Sequence, residues 1–288
     1  LDLLVCPHCG GDLRQNGASL ICSNGHTANI ARQGYVSLLG RRGGTHTADT
    51  AEMIAARERV LGAGLFEPVA EAVASAATVP QLATVEGAVA DLGSGPGYYL
   101  ERVLEAAPSR FGIGIDNSKY AARRAARRHP RGGAVVADIW DEVPLKDDSV
   151  AVAVNVFAPR NGAEIRRILV PGGKLVVVTP EPSHLEQLIE PFSMISVDSD
   201  KEERLAATLS EVGEQLQTDR VDWQMKLSRS EVGDLVSMGP SSGRLDPEKM
   251  EAALDSLEYP AKVTGSVRVT LVEAPDPAVN RSDAGYPE

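Results

Sequence analysis

Five apolar runs in the middle of the chain each end at a charged residue, a glycine or a proline. They are "AVADL" (88–92), "FGIGID" (111–116), "AVVAD" (134–138), "VAVAVNVFAP" (150–159) and the apolar part of "LVPGGKLVVVTP" (169–180). Short runs of this kind, rich in Val and Ala, predict strands buried on both faces. The first run passes into a segment of helical spacing, "YYLERVLEAA". Strands alternating with helices predict a doubly wound, mostly parallel α/β sheet, with a ligand at the C-terminal ends of the strands. Beyond the fifth strand, residues 183–216 read as helical. "VDWQMKLS" and "SVRVTLVEA" then alternate polar and apolar positions, which predicts an antiparallel hairpin at the sheet's edge. Upstream, Asp49 or Thr50 caps a predicted helix through "AEMIAARERVLGAG" that ends at Gly62 or Gly64. "GYVSLL" predicts a short strand closing the N-terminal lobe, and "GRRGGTHTADT" reads as a loop carrying Arg41, Arg42 and His46.

Length divides this pattern into parts. A chain of 288 residues suits one large domain with a smaller appendage. The expected divisions are an N-terminal lobe at 1–40, a linking loop and helix at 41–66, a large domain at 67–275 and a disordered tail at 276–288. No apolar run approaches the roughly 18 residues needed to cross a bilayer, and no positive segment followed by an apolar one opens the chain. No membrane partner is expected, and a cytoplasmic location is the default. The net charge of -11 argues against indiscriminate nucleic-acid binding, but residues 180–288 carry 22 acidic and 10 basic side chains. The rest of the chain is nearly neutral, so local basic patches survive there.

All three cysteines fall within "CPHCGGDLRQNGASLICSNGH". Cys6 and Cys9 form one chelating pair, Cys22 and His26 another, with twelve residues between the pairs. Three thiolates and an imidazole suit a tetrahedral zinc ion, and four protein ligands make the site closed and structural. His8 sits between two of the cysteines as a competing ligand. The plainer alternative is a reducible Cys6–Cys9 disulfide with Cys22 and His26 incidental.

The first strand runs into Asp91-Leu-Gly93-Ser-Gly95-Pro-Gly97, followed by Tyr98. A dinucleotide-binding loop would read G-x-G-x-x-G, and here the final glycine is missing. The pattern instead resembles that of the class I, Rossmann-like methyltransferases, whose ligand is S-adenosylmethionine. Gly93, Gly95 and Gly97 let the backbone turn sharply beside the ligand. Asp91 either caps the loop or touches the cofactor. Asp116, ending the second strand, is placed for the two ribose hydroxyls, and Asp138, ending the third, lies beside the expected adenine.

The order of cysteine knuckles, "GYVSLL", "AEMIAARERVLGAGLFEPV", "DLGSGPGYY", "FAP" and "PGGKLVVVTPEPSHL" resembles the RlmA family of bacterial 23S rRNA guanine-N1 methyltransferases. The likeness covers most of residues 1–190. With 22 arginines to 7 lysines, the chain is more similar to the actinomycete branch that gives tylosin and mycinamicin resistance. The resemblance implies one structural zinc on Cys6, Cys9, Cys22 and His26, and S-adenosylmethionine as cofactor. It implies that Phe66 lines the cofactor pocket, that Gly97 and Tyr98 lie in its loop, and that His184 stands near its methionine end. By themselves, Phe66 reads as core and His184 as a helix-start histidine. Also implied are a 23S rRNA domain II hairpin near the macrolide site as substrate, and a homodimer whose zinc lobes flank the RNA.

Guanine N1 carries a proton, so the enzyme must extrude the base, hold N1 near the methyl group, and supply a proton acceptor or stabilise an anion centred on O6. "NVFAPRN" supplies the candidates Asn155, Phe157 and Arg160, with Arg160 facing O6; no general base stands out in the segment. For RNA docking the candidates are Arg41, Arg42 and the stripe Arg123, Arg124, Arg127 and Arg128 in "KYAARRAARRHPR"; a solvated helix face is the alternative for that stripe. Two other functions fit the same motifs. One is a small-molecule methyltransferase with the zinc lobe as a lid, which lacks steep salt dependence of substrate binding. The other is a non-enzymatic S-adenosylmethionine sensor, which has no turnover.

Overall fold

The computed structural model describes residues 2–40, 46–194, 200–239 and 246–276. The N-terminal lobe is a small antiparallel sheet of β1 (Leu13–Asn16), β2 (Ser19–Cys22) and β3 (Thr27–Asn29), in that order. The next segment contains β4 (Val36–Ser37), which does more than close this lobe. Val36 bridges back to Ile30, and both β4 residues pair in parallel with a strand of the large sheet.

Helix α1 (Ala51–Gly62) starts on Thr50, whose hydroxyl accepts the Met53 N–H, and α2 (Glu67–Ala76) follows with Pro68 in its first turn. The sheet then alternates with helices: β5 (Ala88–Leu92), α3 (Tyr98–Ala106), β6 (Gly112–Asp116), α4 (Lys119–Ala125), β7 (Gly132–Val136), β8 (Val150–Val156), α5 (Gly162–Ile168) and β9 (Leu169–Pro180). Every residue of β5 and β8 is buried, as Val/Ala-rich runs covered on both faces require, and with them the polar Asp91 and Asn155. Helix α3 buries Leu100, Val103 and Leu104 on one side, a spacing that follows the helical repeat.

The C-terminal part departs from the sequence expectation. Residues 183–216 hold only two helices among the described residues, α6 (Glu186–Ile189) and α7 (Asp200–Val212). The expected hairpin is present but longer, with β10 (Glu214–Leu227) and β11 (Ala261–Glu273) paired in antiparallel register from end to end. Between its arms lie α8 (Arg229–Ser237) and α9 (Pro247–Asp255), which the hydrophobic pattern does not mark. Both start on clear caps, Ser228 in a reciprocal capping box and Asp246 ahead of Pro247.

The large sheet runs β10-β11-β9-β8-β5-β6-β7-β4. Strand order reverses between β5 and β8, and the C-terminal ends of these two strands form the crevice where such folds bind ligands. Two large apolar cores lie on the sheet, with a smaller cluster between α4 and β7 among the described residues. One unites α1, α2, α3 and α8 with the hairpin. The other carries α5 and α7 and extends without a break into the N-terminal lobe, through Leu4, Cys6, Leu13, Leu20 and Cys22 against Val143 and Leu145.

Candidate active site and metal centre

In the N-terminal lobe, Cys6, Cys9, Cys22 and His26 bring their ligand atoms within 4.8 Å of one another. Gly10 and Gly25, both in the left-handed region, fold each pair into a tight turn in which the backbone returns on Cys6 and Cys22. The distances are 3.7 Å from Cys9 Sγ to Cys22 Sγ, 3.5 Å from Cys6 Sγ to His26 Nδ1 and 3.4 Å from Cys22 Sγ to the same nitrogen. A tetrahedral zinc ion with bonds of about 2.3 Å to sulfur and about 2.0–2.1 Å to nitrogen needs edges of about 3.8 Å and about 3.5 Å. Zinc therefore fits this set. His8 is outside it, with its ring 5.2 Å from that of His26.

At the crevice, Gly93, Gly95 and Gly97 all have positive φ. Gly93 cannot be replaced without disturbance, because a Cβ there would come within 2.3 Å of the Ala158 Cβ. The loop is tied to its neighbours on both sides. Gly95 N–H donates to Asp116 Oδ2 at 2.9 Å, and Asn155 Nδ2 donates to Leu92 O at 2.9 Å. Two polar atoms beneath the loop have no partner among the described residues, Asp91 Oδ2 and Ser94 Oγ. Asp91 is wholly buried. Desolvation, then the charge of Asp116, push its carboxyl up to about 7, against one restraining bond from the Leu100 N–H. An orphaned buried carboxyl beside a glycine turn and a helix N-terminus suits a ligand with an ammonium group, such as the methionine end of S-adenosylmethionine. Burial raises Asp116 as well, and its Oδ1 accepts the Ser118 N–H.

Asp138 lies two residues beyond β7. Its Oδ1 accepts the Trp140 N–H at 3.1 Å, and His46 Nδ1 stands 2.8 Å from its Oδ2. The Trp140 ring is half exposed and 5.8 Å from the His46 ring. Sequence reasoning passed over Trp140, although one of only two tryptophans directly after a candidate ligand was an available signal. The second, Trp223 on β10, was also missed as a site residue. It joins Phe66, Phe157 and His184 in a box of rings with centroids 5.6–6.1 Å apart, and donates from Nε1 to Leu65 O. Only tertiary structure brings β10 to α2. His184 accepts the Ser266 N–H on Nδ1, so its own proton sits on Nε2. Burial lowers its pKa to about 4, which makes it a neutral donor at pH 7 rather than a base.

Asn155 is fully buried and locks the turn after β8 by donating to Leu92 O and Pro159 O. Its Oδ1 accepts from Arg160 Nε at 3.1 Å, and Arg160 Nη2 donates to Ala158 O. Burial depresses the guanidinium pKa, and no carboxylate among the described residues pairs with it. Tyr98 is placed differently from the other loop candidates. Its ring is buried under Arg128 and its hydroxyl donates to Glu67 Oε2, so only its backbone, at the first turn of α3, lies along the loop.

The arginine stripe is not a single free face. Helix α4 stops at Ala125, and Arg127 and Arg128 lie in the turn beyond it. Arg124 pairs with Glu58 of α1, and Arg128 with Glu101 of α3 at 2.5 Å. Arg123 and Arg127 are exposed, with no ion pair among the described residues. All four border one surface cleft of about 560 Å³ together with Tyr120 and Ala51. Arg41 and Arg42 lie outside the described residues, as does the tail from 277.

The doubly wound sheet, the glycine loop at its switch point and the zinc-fitting ribbon define an S-adenosylmethionine-dependent methyltransferase with an N-terminal zinc ribbon. Family models agree, with the RlmA N-terminal ribbon matching residues 4–40 and a methyltransferase domain matching residues 89–173. The chain is 44% identical to a 23S rRNA (guanine(748)-N(1))-methyltransferase of Streptomyces fradiae, over 93% of its own length and 95% of that enzyme. It is also 44% identical to a putative 23S rRNA (guanine-N(1)-)-methyltransferase of Micromonospora griseorubida, over 92% and 95%. A Bacillus subtilis protein of the same description is 32% identical over 64% of this chain and 66% of that one. The chain belongs to the 23S rRNA guanine-N1 methyltransferase family that carries the RlmA zinc ribbon.

Among the described residues, no helix is long and apolar enough to cross a membrane.

Proposed function

We propose that this chain methylates N1 of a guanine in a 23S rRNA domain II hairpin near the macrolide site, and that this mark gives tylosin-type macrolide resistance. The near end-to-end similarity to the Streptomyces fradiae enzyme carries this reading. Bound at the glycine loop, S-adenosylmethionine supplies an electrophilic methyl group. The chain's residues do the remaining work. Asp91 and Ser94 offer unpaired polar atoms to the cofactor's methionine end, Asp116 faces the ribose and Asp138 the adenine.

Phe66, Phe157, His184 and Trp223 form a packed aromatic cluster that gives the turn after β8 an apolar support. Arg160 is held by Asn155 Oδ1 and Ala158 O, and its charge is free of any described carboxylate. It stabilises the negative charge that grows on O6 as N1 gives up its proton to solvent water at the mouth of the crevice. Arg123 and Arg127 contact RNA phosphates, and two copies flank the hairpin with their ribbons.

The test is primer extension on 23S rRNA from cells with and without the gene, since a methyl on N1 blocks base pairing and stops the polymerase. A new stop at a single domain II guanine is expected; an unchanged pattern refutes the reading. Arg160→Ala is expected to lower the methylation rate by about 10²–10³-fold with cofactor affinity unchanged, the range for loss of one preorganised donor.

A further inference from the structure

Strand β8 is buried along its whole length, and the next residue is not. Phe157 is 41% exposed, and its backbone lies in the left-handed region at φ +52°. Bulky side chains rarely adopt that conformation, and where they do the surrounding structure enforces it. Here the enforcement is visible. Phe157 N–H donates to Val178 O at 3.1 Å, and Asn155 Nδ2 ties the turn to Pro159 O at 2.8 Å. Neighbouring Ala158 is the residue that packs against Gly93 of the cofactor loop.

A phenyl ring needed only for packing would be buried on relaxed backbone. A turn residue needed only for φ would be glycine or asparagine. Phe157 is neither. One side of its ring is supported, nearly parallel to His184 (26°, centroids 5.6 Å apart) and edge-on to Phe66 at 6.1 Å. Arg160 is fixed three residues on.

We propose that Phe157 is the platform on which the extruded guanine stacks, extending the His184–Phe157 pile by one ring and setting N1 between the cofactor loop and Arg160. The platform rests on the methyl-transfer reading above. A flipped base loses its stacking neighbours, and an aromatic side chain in the enzyme replaces them. The strained turn then has a reason: it holds the ring at the mouth of the crevice rather than in the core.

The experiment compares wild type with Phe157→Gly, Phe157→Tyr and Phe157→Trp on unmodified 23S rRNA, free and in 50S particles. It records kcat/KM with labelled S-adenosylmethionine, cofactor Kd by calorimetry, and Tm. Phe157→Gly is expected to lower kcat/KM about 5- to 150-fold, the fold-change equivalent of about 1–3 kcal/mol per stacked base. Its cofactor Kd stays within about twofold and its Tm within about 5 °C, because glycine relaxes the backbone while the ring contacts are lost. Tyr and Trp restore most of the rate.

A glycine variant within about threefold of wild type overturns the platform. So does a loss of rate that tracks a fall in Tm and cofactor affinity and that Tyr and Trp fail to rescue. Wild type that leaves every guanine N1 unmodified overturns the methyl-transfer reading itself, and the platform with it.

Discussion

At the scale of single residues, Asp91 links the cofactor loop to pH. Its carboxyl is pushed up to about 7, whereas an aspartate in the unfolded chain titrates near 4. Between those values the folded protein holds a proton that the unfolded chain has released. The resulting contribution to stability is fully present below about pH 4 and is lost as pH rises through about 7. Burial acts on Asp116 in the same direction. Without cofactor, Tm is therefore expected to fall between pH 5.5 and 8, and Asp91→Asn to flatten that slope. Cofactor affinity is expected to rise over the same interval, since the ionised carboxylate is the form that attracts an ammonium group. Melting curves and calorimetry across this range check both, and a Tm profile unaltered by Asp91→Asn would remove the assignment. Asp91 was legible in the sequence as a candidate, but its unpaired oxygen was not, because burial depends on what α3 and β6 place around it.

At the scale of elements, α4 shows how a sequence pattern divides once its neighbours are known. Arginines at i, i+1, i+4 and i+5 suggest one basic face, but Glu58 on α1 and Glu101 on α3 take up two of them. The remaining pair, Arg123 and Arg127, carries the RNA contact in our reading. Replacing both with alanine is expected to flatten the plot of log affinity against log salt by about one unit per lost phosphate contact. Arg124→Ala is expected to leave that slope alone and to cost at most about 1 kcal/mol of stability, as partly exposed ion pairs do. Filter binding of rRNA at several salt concentrations separates the two; an unchanged slope in the double variant would return the stripe to a solvated role. Helices α8 and α9 are the opposite case. Their caps were readable, but each is short and half-polar, and packing of α8 on α1, with Arg59 bonded to Asp234, stabilises what periodicity alone does not announce.

At the scale of the whole molecule, the zinc ribbon is not a separate bead. Leu4 bridges Leu145, Val5 N–H donates to Pro144 O, and Lys146 pairs with Asp12, while β4 extends the large sheet beside β7. The apolar residues around Cys6 and Cys22 share a core with the sheet. Cys22→Ser is thus expected to loosen more than the ribbon. Structural zinc contributes about 10–16 kcal/mol of apparent binding energy in small domains, and losing one ligand forfeits several of these. Limited proteolysis should show cleavage within residues 1–40, accompanied by a lower Tm for the whole chain. Cleavage with an unchanged Tm would mean that the shared core transmits nothing. Because β7 leads to Asp138, weakening of cofactor binding in the same variant is the expected sign of coupling between ribbon and site.

The sequence by itself determined what depends on local chemistry and spacing. The four candidate zinc ligands fall in two short turns, the glycine loop in one, and the five parallel strands are runs that only a doubly covered sheet accommodates. Tertiary structure alone decided which distant groups meet. It set Trp223 against Phe66 across 157 residues, placed His46 on Asp138, and neutralised half of the arginine stripe. It also put strain under Phe157 and left Arg160 with no carboxylate partner among the described residues. Such features arise from the register between elements and from exclusion of water around them, and neither quantity is written in the spacing of residues along one segment.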